Sequence, residues 1–415
     1  MTQENEAGYR LLRRAQKSIL SAQEDLIEAR SQLSESAPSS PSDRDRDWNP
    51  DQVLDRMSHS LHLAILELDD ILPDTLTEKG SGPVPDHPVE RLVNLVPEAA
   101  VERISEILPD RPKPAVYSRL DQIPRGQADD QITPGALVLE GGAFRGLYTQ
   151  GVLDALMEAG INFQTTVGIS SGALSALSYV SGEIGWSARL NLSLRHDSNY
   201  IGFHAMRRDH GITGFSYIFE DQLKNHPIDL DRLNDPRRRL LVGATDMNTG
   251  LVHFFEKGHC KDFFLAARAS ATVPYVSRPV VIDQTPYLDG GMVCNIPYQW
   301  AIDGGYRKII VVKTRDRSYR KPTGGAGRQQ RINYLYYHNY PKLLEQIASS
   351  GEKYNALLDR IEGDEADGKI FVFAPKDPVR INRFESDMEK LGQLYWEGYR
   401  EAQEAIPALR EYLAK

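Results

Sequence analysis

Three short strings carry residue types that can do chemistry. Gly168-Ile169-Ser170-Ser171-Gly172 spells G-x-S-x-G between a strand-like run and a helix-like one. That is the setting of a sharp nucleophile turn, in which small flanking residues let Ser170 project its hydroxyl. Ser170 also stands at a helix start, where developing negative charge is favoured. The same place suits an ordinary capping serine. The second string, Gly141-Gly142-Ala143-Phe144-Arg145-Gly146, leads from a strand into a helix. Free N–H groups and a positive dipole end there suit an anion, either a bound phosphate or a reaction oxyanion. A plain strand-to-helix turn would use the same glycines. The string has neither G-x-G-x-x-G spacing nor a GK[ST] ending, so a dinucleotide site and a P-loop are set aside. The third is Asp289-Gly290-Gly291. Asp-Gly is a common hairpin turn. It also offers a carboxylate that could take the Ser170 proton and later return one to a leaving group.

Histidine is the usual base, and the chain has ten. Only His338 follows Asp289 in the order Ser…Asp…His, and it lies in a tyrosine-rich stretch that reads as helix or surface. No H-E-x-x-H string and no spaced carboxylate cluster occurs, so neither a metal nor a cofactor is expected. Cys260 and Cys294 lack a C-x-x-C partner, which excludes a disulfide scaffold and a thiolate zinc site.

The elements that must position these residues change character along the chain. Up to residue 134 there are 15 basic and 25 acidic residues; the rest holds 34 and 33. The net charge of −9 therefore belongs to the first part. Apolar residues there recur every three or four positions, over Leu12–Leu33 and Leu54–Ile71, with a Ser/Pro-rich linker between. Amphipathic helices follow, with a third over Val89–Leu108. Beyond Gly135, short apolar runs alternate with helical patterns. Strands are expected over Ala136–Glu140, Phe163–Ile169, Leu240–Thr245, Val252–Glu256, Val280–Tyr287, Lys308–Lys313 and Lys369–Phe373, and helices over Ser171–Val180 and from about Phe384 to Ala414. That alternation predicts an α/β sheet with helices on both faces. At 40% hydrophobic and 26% charged residues, the chain can fill such a core. An acidic total argues against a nucleic-acid partner. No apolar run reaches about 18 residues and the first residues are acidic, so neither a membrane span nor a secretory signal is expected and the cytoplasm is the expected location.

In their order, the three strings resemble those of the patatin-like phospholipases. The resemblance extends to Tyr148–Asp154, Ala176–Gly182 and Ala269–Pro274, and covers about residues 135–415. It is closest to a bacterial branch with a helical C-terminal extension. It implies a three-layer α/β/α sandwich with a mainly parallel sheet over 135–318 and a C-terminal helical extension over 319–415; the N-terminal α-helical extension over 1–130, read from its apolar spacing, lies outside the resemblance. It also implies a Ser–Asp dyad: Ser170 as nucleophile, Asp289 as base, and Gly141, Gly142 and Ala143 as the oxyanion loop, with Arg145, Gly146, Gly168, Gly172, Gly290 and Gly291 in support. The family's loop usually has a third glycine where Ala143 stands, so a positive φ there would strain the alanine by about a kcal/mol.

The expected reaction is hydrolysis of phospholipid or lysophospholipid esters through an acyl-enzyme. An acyltransferase or thioesterase would use the same dyad, and a non-catalytic lipid-binding scaffold is the reading from another class. The basic 313–331 segment is expected to give peripheral membrane contact. The helical arm is expected to serve oligomerisation or a protein partner.

Overall fold

The computed structural model describes residues 116–323, 330, 333–334, 336–382 and 384–415, the side chain of residue 203 excepted. The helices expected before residue 109, and Arg328 and Arg331, lie outside the described residues.

Eight strands form one sheet: β1 (Thr133–Leu139), β2 (Phe163–Ile169), β3 (Arg239–Asp246), β4 (Val252–Glu256), β5 (Val280–Ile282), β6 (Thr285–Asp289), β7 (Ile309–Val312) and β8 (Phe371–Phe373). Their order is β8-β7-β1-β2-β3-β6-β5, with β4 also on β3. The run from β8 to β3 is parallel. β4 and β6 lie antiparallel on β3, and β5 antiparallel on β6. Strand residues alternate between two cores. Leu137, Leu139, Leu240 and Val242 face one, and Ala136, Val138, Val167 and Leu241 the other. Apolar residues at successive positions are the signature of a sheet covered on both faces.

The expected single strand over 280–287 is in fact two. Asp283 and Gln284 turn between β5 and β6 with φ of 46° and 65°. A tight hairpin of that hand needs two left-handed residues. Asp283 tolerates that conformation, but Gln284 does not favour it, and the pair is not one of the usual hairpin dipeptides.

Seven helices matter here: α1 (Gly146–Glu158), α2 (Ser171–Ser181), α3 (Trp186–Leu194), α4 (Phe263–Ser270), α5 (Tyr298–Asp303), α6 (Pro341–Ala366) and α7 (Met388–Ala414). α1, α2, α3, α4 and α7 share one core, and α5 and α6 the other. Pro341 at its first turn suits the start of α6, where the missing N–H is no loss. Asp387 caps α7 by accepting from the N–H groups of Glu389 and Lys390, at 3.0 and 3.1 Å. α7 continues as one helix through Pro407.

α7 crosses α1 at very short range. A Cβ built on Gly151 would stand 2.1 Å from the Tyr395 carbonyl oxygen, and one on Gly398 2.1 Å from that of Tyr148. Around this crossing, Tyr395 donates to the buried Asp154 at 2.8 Å and Tyr148 to Glu401 at 2.8 Å. Residues 116–130 also belong to this packing: buried Tyr117 presses on Gly392 of α7, and Gly126–Gln127 pairs with Glu183–Ile184.

Candidate active site

The register of the sheet sets Leu139 beside Gly168 and Gly168 beside Val242, so the carboxyl ends of β1, β2 and β3 lie side by side. The turns leaving such ends are where ligands bind in open α/β sheets. Ser170 occupies the turn between β2 and α2 with φ 54° and ψ −122°. A non-glycine residue there is strained by about 1–3 kcal/mol, and such strain gathers at functional sites. The neighbouring glycines make room for it. A Cβ on Gly168 would fall 2.6 Å from the Gly172 backbone, and one on Gly172 2.7 Å from the Leu139 carbonyl oxygen.

Asp289 ends β6 and meets this serine from across the sheet. Ser170 Oγ donates to Asp289 Oδ2 at 2.6 Å. The other carboxylate oxygen accepts the Gly291 N–H at 2.7 Å. The Asp289 backbone is held at both ends, with its N–H on the Thr272 carbonyl at 3.0 Å and its C=O accepting from Thr245 Oγ1 at 2.8 Å. Gly290 lies too close to the Gly243 carbonyl to carry a side chain. A serine hydroxyl in a short bond to a carboxylate can pass its proton along that bond as its oxygen attacks a carbonyl.

The 141–143 loop lies against the same turn. Ala143 takes φ 50°, the strained case foreseen for this position. The Gly141 N–H donates to the Asn295 carbonyl at 3.0 Å, and the Gly142 N–H to Ser171 Oγ at 2.9 Å. Gly141 and Gly142 were expected among the oxyanion donors; both N–H groups are instead engaged in holding the loop. Gly146 passes 2.9 Å (ideal Cβ) from the Ser171 side chain, and Arg145 lines the cavity that opens over the serine.

That cavity has a volume of about 830 Å³. Ser170, Asp289, Ala143, Asn295 and Lys321 mark its polar part. Leu174 and Leu177 of α2, Leu190 of α3, and Phe215, Phe219 and Phe264 form an apolar stretch of its wall, and Gln150, Asn191 and Glu352 also line it. The wall includes a π-helical stretch, Tyr217–Gln222, a rare conformation often found at functional sites. His338 is exposed with its ring 5.9 Å from that of Tyr334, and it does not line this cavity. Among the described residues no group of His, Cys, Asp or Glu could hold a metal ion, and no helix is long and apolar enough to cross a membrane.

In the basic segment expected to face lipid, Arg317 is exposed, Arg315, Arg320 and Lys321 are half-buried, and most of the charges have partners. Lys313 is buried, which lowers its pKa. Arg315 donates to the Val379 carbonyl, Arg317 pairs with Glu365, and Arg320 with Asp359 and Glu362. The acidic partners lie mainly on α6, which sequence spacing alone did not place beside this loop.

Sequence reading had also left Ser270, Glu140, Thr314 and Asn295 without roles. Ser270 Oγ accepts the Ser170 N–H at 2.9 Å and donates to the Gly243 carbonyl at 2.6 Å. The only hint was its place in the Ala269–Pro274 string.

Fold and site together define an α/β protein with a serine–carboxylate pair at a sharp strand-to-helix turn. The chain carries a patatin-like phospholipase domain: residues 137–302 match the family model "Patatin-like phospholipase". Residues 340–414 match a second model, described as "Domain of unknown function (DUF6363)". The chain is 27% identical over 283 residues to the uncharacterized protein YjjU of Escherichia coli K12, covering 62% of this chain and 75% of that protein. It is 28% identical over 243 residues to the probable lipid hydrolase 463L of Invertebrate iridescent virus 6, covering 52% and 81%. It is 27% identical over 183 residues to a cGAMP-activated phospholipase of Pseudomonas aeruginosa (strain BWHPSA011 / Pa011), covering 39% and 53%.

Proposed function

We propose that the protein is a serine acyl hydrolase that cleaves carboxylic esters of phospholipids or lysophospholipids. The observation that carries this reading is the 2.6 Å bond from Ser170 Oγ to Asp289 Oδ2, set in a cavity with an apolar stretch of wall. The match to the family model and the lipid hydrolase and phospholipase names of the relatives support it.

Asp289 accepts the Ser170 proton as Oγ attacks the ester carbonyl carbon, and the carbonyl oxygen becomes an anion. Two amides are assigned to hold it in this reading. Ser171 is the first residue of α2, so its N–H has no partner within the helix. The Ala143 N–H lies on the opposing loop. The N-terminal dipole end of α2 favours the same charge. Collapse of the intermediate expels the alcohol or lysolipid, which takes the proton from Asp289, and leaves an acyl-enzyme. Asp289 then activates water, and a fatty acid leaves. The apolar wall of Leu174, Leu177, Phe215 and Phe219 receives the acyl chain, whose burial is worth about 0.8 kcal/mol per CH₂. Transfer of the acyl group to an acceptor other than water would use the same first half-reaction.

A fluorophosphonate probe tests the nucleophile. Covalent label is expected on Ser170 alone, and a long-chain lysophospholipid should protect it. Products of the lysophospholipid reaction separate free fatty acid from a transferred acyl group. Absence of label on Ser170 in folded protein would sink the reading.

A further inference from the structure

We propose that α6, within the region that matches the model of a domain of unknown function, positions the reaction centre: Tyr354 and Thr314 hold the buried carboxylate of Glu140, and Glu140 fixes the 141–143 loop. The inference rests on the acyl hydrolase reading above and gives the C-terminal region a part in that reaction.

Glu140 is the residue immediately before the loop, and it is only 2% exposed. A carboxylate so placed costs several kcal/mol unless each oxygen is paired. Here both are. Oε1 accepts the Tyr354 hydroxyl at 2.6 Å. Oε2 accepts the Thr314 N–H at 2.5 Å and stands 3.2 Å from Thr314 Oγ1. Thr314 Oγ1 is also 3.2 Å from the Gly141 carbonyl, and a Cβ on Gly142 would come within 2.6 Å of it. One threonine therefore grips the carboxylate and the loop together.

The circuit closes on the other side. The Lys321 ammonium lies 4.5 Å from the centre of the Tyr354 ring and donates to Asn295 Oδ1 at 2.5 Å. The Asn295 carbonyl accepts the Gly141 N–H at 3.0 Å. Tyr354, Glu140, Gly141, Asn295 and Lys321 thus form a ring of contacts around the start of the loop. The loop needs such restraint, because Ala143 holds a left-handed φ that costs about 1–2 kcal/mol. An apolar residue at position 140 would pack without a desolvation cost. A carboxylate held by the Tyr354 hydroxyl and the Thr314 N–H fixes direction as well as volume. Glu140 and Tyr354 touch no reacting atom in this account; they are positioning residues.

The test compares kcat and KM for p-nitrophenyl butyrate in the full chain, with thermal melts alongside. Tyr354→Phe should lower kcat about tenfold or more, with KM held within about twofold. Thr314→Val should do the same, and Thr314→Ser should restore the rate. Tyr298→Phe removes a similar bond, from Tyr298 Oη of α5 to Asp364 Oδ2 of α6 at 2.7 Å, farther along α6 than Tyr354, and should keep the wild-type kcat. If Tyr354→Phe melts below the assay temperature, the Thr314 pair decides. The inference is overturned if Tyr354→Phe and Thr314→Val turn over like wild type while Ser170→Ala is inactive, or if Tyr298→Phe loses as much as Tyr354→Phe. A fully active Ser170→Ala would remove the hydrolase reading itself, and this inference with it.

Discussion

Ser270 Oγ sits 2.9 Å from the Ser170 amide nitrogen and 2.6 Å from the Gly243 carbonyl oxygen, so one buried hydroxyl ties the strained serine turn to β3. Two residues on, the Thr272 carbonyl accepts the Asp289 N–H. The end of α4 therefore sets the spacing of both members of the pair. Ser270→Ala leaves the Ser170 N–H buried without its partner, at a cost of about 1–3 kcal/mol. We expect a fall in kcat of about tenfold or more with KM little changed. A variant with wild-type kcat would show that the turn holds its shape without Ser270.

Close approach of α1 and α7 predicts opposite outcomes for two glycine substitutions. Gly151→Ala forces a methyl against the Tyr395 carbonyl, so the helices must part, at about 1–3 kcal/mol or more. Gly363→Ala on α6 meets nothing within 4 Å and should stabilise by up to about 1 kcal/mol through helix propensity. Urea unfolding at neutral pH measures both. Equal stability of the two variants would contradict the crossing.

Asp154 beneath α7 predicts a pH dependence. Burial raises its carboxyl to about 7, against the Gly185 N–H and Tyr395 hydroxyl, which favour the charged form. In the unfolded chain it titrates near pH 4. Between about pH 4 and 7 the folded chain keeps a proton that the unfolded chain has released. This group's contribution is thus fully present below about pH 4 and is lost as pH rises through 7. Asp154→Asn mimics the neutral form at every pH. Relative to that variant, wild type should lose stability from pH 4 to 7, at most about 1.4 kcal/mol per unit, and then level off. A difference that is flat across this range, or that grows, would contradict the burial effect.

Much of the fold was legible because the sheet is buried on both faces, and its strands stand out as apolar runs. Phe163–Ile169 and Val252–Glu256 were read at their observed bounds. The break at Asp283–Gln284 was hidden because the pair, left-handed in the fold, is not one of the usual hairpin dipeptides. The pairing of Ser170 with Asp289 was implied by the family resemblance that the three strings carry, since Asp289-Gly290 alone reads equally as a turn. What surrounds the pair was not legible, since it depends on register and on contacts between residues far apart in the chain. Glu140 read as the last residue of a strand, and only the fold brings Tyr354, 214 positions later, onto its carboxylate. The charges of the 313–331 segment were plain in the sequence, but their acidic partners on α6 appeared only in three dimensions.

The proposed chemistry runs through Ser170 and Asp289 without histidine. Its most direct test is fatty acid release from a lysophospholipid by the full chain and by Ser170→Ala, Asp289→Asn and His338→Ala variants shown to be folded. Losses of about 1000-fold or more are expected in the first two, with the third close to wild type. Undiminished release by Ser170→Ala, or a collapse of activity in His338→Ala, would contradict it.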